Sequence, residues 1–271
     1  MHPTTYHRPA SVDQAVKIFD EHEEAIYVAG GHTLLPAMKQ GLASPAHLID
    51  VCAISALNFI EVNEQYLRIG ATTPHVKVAE SELVRKSIPA LAGLAGSIGD
   101  RQVRQRGTIG GSIANNDPAA DYPAGVLGLG AVIVTNLRQI PADEYFVSLF
   151  ETALKPGEMV LSIDFPIPLA AGYAKFRSAA ARYPQAGVFI TQTSNGVRVA
   201  ITGAGASGVF RHVELEAALD ASFSAQAIEH IAIDPNELME DLNATSEYRA
   251  NLIKVMACRA IEHMGEARSF K

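Results

Sequence analysis

Apolar residues recur at Val12, Ala15, Val16 and Phe19, the i, i+3, i+4, i+7 spacing that sets them on one helical face. Ser11 with Gln14 three residues on has the spacing of a capping box, so the helix is expected to start there. The period then changes. Residues 25–29 are a short apolar run closed by Gly30 and Gly31, which reads as a buried strand entering a glycine turn. Residues 48–51 read as a second short strand, so residues 1–55 predict a small α/β unit.

Further on, Leu67, Ile69 and Ala71 alternate with polar or small residues at the strand period. Thr73 and Pro74 offer an N-cap and a first-turn proline for a helix. Residues 82–95 are expected to be helical, bent or divided by Pro89. The glycine-rich stretch 99–111 reads as loop; residues 121–129 read as helix and 131–135 as a β-branched strand. Residues 159–165 have strand composition, and Pro166-Ile167-Pro168 breaks it, which marks a candidate domain boundary. Beyond it, residues 187–193 and 196–202 flank Asn195-Gly196, a strong hairpin signal. The last 60 residues, rich in Ala, Glu and Leu, read as helices. The expected class is α+β, with two N-terminal subdomains (1–55 and 56–165) and a C-terminal domain (166–271) built of a small antiparallel sheet and helices.

Composition narrows the function. The formal charge is −7 over 271 residues, without a Lys/Arg run, which gives no attraction to nucleic acid or anionic lipid. No secretory leader pattern opens the chain and no ~18-residue apolar stretch follows, so the sequence reads as cytoplasmic. Cys52 and Cys258 stand far apart with no C-x-x-C spacing, so no metal site is expected in this chain and any iron–sulfur cluster must belong to a partner.

Three constellations can carry chemistry. Val28-Ala29-Gly30-Gly31-His32-Thr33 is a strand emptying into paired glycines, where main-chain N–H groups can approach a diphosphate; an ordinary strand-to-helix turn has the same pattern. Arg104-Gln105-Arg106-Gly107-Thr108-Ile109-Gly110-Gly111-Ser112 is a second glycine pair, flanked by hydroxyls, whose N–H and O–H groups can donate to phosphate oxygens while the preceding cations offset charge; a solvated basic loop looks alike. Its spacing is neither G-x-G-x-x-G nor a Walker loop. Around Asn115-Asn116-Asp117-Pro118, Asp117 and Asp121 can accept from ribose or ribityl hydroxyls, or simply cap a turn and the helix after it. His32 is read as a local hydrogen-bonding residue, and no residue is assigned a catalytic role.

Taken together, residues 29–36, Ile98-Gly99-Asp100, residues 107–112, Asp117-Pro118-Ala119-Ala120-Asp121, residues 152–158, Arg182-Tyr183 and Thr202-Gly203-Ala204 make the chain resemble the FAD-binding medium subunit of the xanthine dehydrogenase and carbon monoxide dehydrogenase family of molybdenum hydroxylases. The resemblance covers nearly the whole chain. It implies the vanillyl-alcohol-oxidase-like (PCMH-type) flavin fold, followed by a domain like the C-terminal one of the carbon monoxide dehydrogenase flavoprotein.

By that resemblance, Tyr27, Val28, Ala29, Gly30, Gly31, His32, Thr33 and Leu34 with Thr108, Ile109, Gly110, Gly111 and Ser112 would hold the FAD diphosphate and ribityl region. Asp121 would meet a cofactor hydroxyl or the adenosine side. Ile98 and Leu161 would lie near the flavin, Lys175 would contact it, and Tyr183 would stand against the isoalloxazine. The family's architecture further implies an iron–sulfur small subunit with [2Fe-2S] clusters, a molybdopterin large subunit, and NAD, a quinone or oxygen as acceptor. Two departures stand out: Arg138-Gln139-Ile140 lacks an expected glycine, and Asn115-Asn116 replaces a small or histidine-containing pair. Competing readings are a free-standing FAD oxidoreductase of the same fold and an assembly protein that has lost the flavin.

Overall fold

The computed structural model describes residues 3–266. Among them the strands form four sheets. The first is parallel, with His47–Asp50 between Thr5–His7 and Ala25–Val28. Its Ile49 and Ala25 face the helix Val12–Glu21, and its Val28 and Leu48 face the short helix Leu34–Lys39, so each face buries its own small core. The first helix starts as its sequence requires: the Gln14 N–H donates to Ser11 Oγ and the Ala10 N–H donates to Gln14 Oε1.

The second sheet is antiparallel and runs Ile60–Val62, Tyr66–Gly70, Val160–Pro166, Val132–Thr135, Gln139–Pro141. Pro89 divides the next helical stretch into Glu82–Ser87 and Pro89–Ser97. The glycine-rich segment 99–111 differs from its expectation of a loop. It carries the helix Arg101–Arg106 and the first turn of Ile109–Asn115, each capped by a side chain, Asp100 and Thr108. The helix expected from Thr73 starts one residue later, as His75–Glu80 with Pro74 at its cap, because the Thr73 hydroxyl donates to Phe59 O.

The chain changes sheets between Pro166 and Ala170. Strands Ala170–Arg177, Pro184–Thr193, Gly196–Thr202 and Phe210–Arg211 form the third, antiparallel sheet. Alternation within it serves two cores at once: Phe189 and Ala200 pack into the large N-terminal core, while Val188, Ile190, Val199 and Ile201 pack under the helices Val213–Ala221 and Ser246–Glu262. A sheet buried on both faces fixes the C-terminal part rigidly against the rest, which positions everything between them.

Candidate flavin site

The parallel sheet, the segment 106–112 and the turn at 181–183 enclose a cavity of about 550 Å³. Every residue from Tyr27 to Leu34 lines it, as do Ile98, Thr108, Gly110, Gly111, Ser112, Asp117, Asp121 and Tyr183.

The two glycine segments touch. A Cβ on Gly30 would stand 2.2 Å from the backbone oxygen of Arg106, so only glycine allows this approach. Gly31 adopts φ +73°, the left-handed region, and turns the chain at the strand end. The Leu35 N–H donates to Gly31 O and the Ala37 N–H donates to Thr33 O, whereas the N–H groups of Gly31, His32 and Thr33 have no partner among the described residues. Successive free amides in such a turn form a concave anion receptor.

The second segment works differently from its sequence expectation. The Ile109 N–H donates to Thr73 O, Gly110 N–H to Ala71 O, Gly111 N–H to Thr108 Oγ1 and Ser112 N–H to Thr108 O. These four amides are already satisfied by the chain, because the glycine pair opens a capped helix. What 108–112 brings to the cavity is bare glycine backbone and the hydroxyls of Thr108 and Ser112.

Three expected contacts are displaced. Ile109 is fully buried in the core beneath the wall. Leu161 falls where the strand register shifts between Val160 and Ser162 and packs against the small core that holds Ile49 and Met159, while Met159 and Val160 line the cavity instead. Lys175 stays behind the wall: its side chain is 0% exposed, its Nζ is 2.7 Å from Asp121 Oδ1, and it donates to Arg182 O at 3.2 Å. Asp121 lines the cavity, but its Oδ1 also accepts from Tyr173 Oη at 2.6 Å. Its carboxylate is thereby held in place by two C-terminal side chains.

Other lining residues had no signal in the sequence. Thr72 Oγ1 and His75 Nδ1 are buried polar atoms without a partner, both in residues of the cavity wall. Burial, then the neighbouring His32 and Arg104, push the His75 imidazole down to about 3, so it is neutral near pH 7. Burial, reinforced by Asp20, raises the Tyr27 phenol to about 12; burial, then Asp117 and Asp121, raises Tyr183. Glu158, also on the wall, is held down to about 2: burial opposes its charge, but hydrogen bonds from Arg138, the Lys155 N–H and Thr135 outweigh it.

Both departures from the family pattern thus acquire structural roles. Arg138 pairs with Glu158. Asn116 closes the helix Ile109–Asn115 in the left-handed conformation, and its Nδ2 donates to Ser148 O and Glu151 O.

A cavity lined by free amides, the hydroxyls of Thr108 and Ser112 and a glycine-only approach at Gly30 suits a phosphorylated, hydroxyl-rich cofactor. Residues 2–168 match the family model described as the FAD binding domain in molybdopterin dehydrogenase. The chain is 33% identical to the carbon monoxide dehydrogenase medium chain of Hydrogenophaga pseudoflava, over 94% of this chain and 95% of that protein. It is 30% identical to the nicotine 6-hydroxylase medium subunit of Paenarthrobacter nicotinovorans, over 96% of each. Among solved structures, carbon monoxide dehydrogenase from Oligotropha carboxidovorans superposes with a TM-score of 0.87 at 30% identity, covering 97% of this chain and 98% of that one.

The chain therefore belongs to the FAD-binding medium subunits of the molybdenum hydroxylase family, an oxidoreductase family, and its cofactor is FAD. Its class is α+β, as expected. Among the described residues no helix is long and apolar enough to cross a membrane.

Proposed function

We propose that this chain is the electron-transfer subunit of a cytoplasmic molybdenum hydroxylase complex, set between the [2Fe-2S] clusters of a small subunit and an external acceptor, with substrate oxidised at molybdopterin in a large subunit. NAD, a quinone and oxygen are the acceptor chemistries open to it. Bound FAD would supply the exchange of electrons; the chain supplies binding, orientation and electrostatics.

The observation that carries the reading is the row of unpartnered N–H groups at residues 31–33, in the turn that lines the cavity. The turn at 30–33 holds the diphosphate. Thr108, Ser112, Asp117 and Asp121 serve the ribityl and ribose hydroxyls. Ile98 and Tyr183 serve the isoalloxazine end. Neutral His75 and the neutral Tyr27 and Tyr183 phenols place no competing anion there, while His75 can donate or accept a hydrogen bond according to its tautomer. Residues 1–165 form the flavin-binding part and 166–271 a supporting part that holds Asp121 and the Tyr183 turn.

The test is anaerobic reduction of the assembled complex by its organic substrate. Flavin absorption should bleach only when the iron–sulfur subunit is present, and an added acceptor should restore it. Flavin reduction by substrate in the isolated chain would support a free-standing oxidoreductase instead.

A further inference from the structure

Three histidines from separate parts of the sequence meet on the parallel sheet, away from the flavin cavity. His7 ends the strand Thr5–His7 and lies level with Ile49 in the parallel register; His47 begins His47–Asp50, two residues before Ile49 on the same face. That face is covered by the helix Val12–Glu21, and His22 is the residue that ends this helix. The ring centroids lie 5.2 Å (His7–His47), 5.3 Å (His7–His22) and 4.2 Å (His22–His47) apart. One ligand atom from each ring falls within 4.8 Å of the other two, the only such grouping of three or more His, Cys, Asp or Glu ligands among the described residues. None of the three lines the cavity.

We propose that His7, His22 and His47 form a binding site for a zinc-class divalent cation, three imidazoles holding the ion and water completing its coordination. Imidazole suits zinc, copper and nickel, and three histidines with an open fourth position is an established zinc arrangement. The His22 ring is pre-oriented. Its Nδ1 lies 2.8 Å from Glu21 O, so the Nδ1–H tautomer is fixed by a backbone carbonyl and the Nε2 lone pair is free for a metal.

The geometry also measures how far the rings must move. His7 Nε2 and His47 Nδ1 are 2.9 Å apart, a single shared hydrogen bond. Two nitrogens on one tetrahedral zinc stand about 3.3 Å apart, given metal–nitrogen distances of roughly 2.0–2.1 Å. A separation of a few tenths of an ångström converts the hydrogen bond into two metal bonds, and all three side chains are partly solvent-accessible, which gives an ion entry. Such an ion would clamp the end of the first helix to the sheet edge.

Tag-free full-length protein, stripped with EDTA and dialysed, tests this when titrated with Co²⁺. The expected result is one Co²⁺ per chain with the visible d–d bands of a four-coordinate ion, displaced by Zn²⁺, and three paramagnetically shifted imidazole N–H or C–H sets in the wild type. His22→Gln and His47→Gln should each weaken binding at least about tenfold, while flavin content stays unchanged. Absence of saturable Co²⁺ binding, fewer than three shifted imidazoles, or binding that survives both substitutions would overturn the site. The wild-type imidazole count decides the matter even where a variant fails to fold.

Discussion

Lys175 Nζ lies 2.7 Å from Asp121 Oδ1, with the two side chains 0% and 4% exposed. This ion pair joins the first strand of the C-terminal sheet to the residue preceding the helix Tyr122–Gly128, and through Arg182 O it also holds the turn that carries Tyr183. Breaking one partner leaves a buried charge without compensation. Lys175→Met should cost about 3–5 kcal/mol, read as a lower urea midpoint at unchanged slope. The double variant Asp121→Asn/Lys175→Met should recover part of that loss, since no uncompensated charge remains; a double variant no better than the single would contradict the pairing.

The two glycines of the first turn should differ. At Gly30 an added methyl meets the backbone of Arg106 at 2.2 Å and forces the two segments apart. At Gly31 it meets the end of the flexible Leu35 side chain, and the main cost is the left-handed φ, about 1–2 kcal/mol. Gly30→Ala is therefore expected to lose more flavin per folded chain than Gly31→Ala, measured by absorbance of the desalted proteins.

His75 should make the flavin-free protein acid-sensitive. Its folded pKa is depressed from 6.5 to about 3, so it contributes stability that is present above pH 6.5 and is lost as pH falls toward 3. Proton linkage puts the loss at roughly 2 kcal/mol by about pH 5. His75→Leu should flatten that part of the stability profile, followed by denaturant midpoints at several pH values; an unchanged slope would remove His75 as its source.

Glu158 acts in a lower window. With its carboxyl held down to about 2 against an ordinary 4.5, it stabilises above pH 4.5 and that contribution is lost as pH falls toward 2. Glu158→Gln keeps the shape but removes the charge facing Arg138, and should cost about 1–3 kcal/mol at pH 7. The difference from wild type should shrink on acidification, as followed by circular dichroism.

Much of this was legible in the sequence where one signal dominated. The capped amphipathic helix after Ser11, the division at Pro89 and the hairpin at Asn195-Gly196 all stand where local chemistry puts them. The strand Ala170–Arg177 gave no alternating pattern, because most of it is buried on both faces. The helix Arg101–Arg106 was hidden by its shortness, six residues between Gly99 and Gly107, and Ile109–Asn115 by the poor helix propensity of its glycine pair; caps and tertiary contacts form such short helices.

In the site, the first glycine turn was readable because glycine there is required by both φ and close approach. The free and occupied amides were not, since bonds such as Gly110 N–H to Ala71 O depend on residues distant in sequence. Leu161 falls at a break in strand register that no sequence period reports, Lys175 was captured by Asp121, and Thr72, His75 and the three clustered histidines carry no local motif.

The central claim is that the amides of residues 31–33 hold the cofactor's diphosphate. Its most direct test is to titrate the flavin-free chain with FAD and with riboflavin, in the wild type and in folded Gly30→Ala. Wild-type protein should bind FAD far more tightly than riboflavin, and the variant should lose most of that difference while retaining its weak riboflavin affinity. Equal affinity of the wild type for the two ligands, or an FAD preference untouched by Gly30→Ala, would contradict the account.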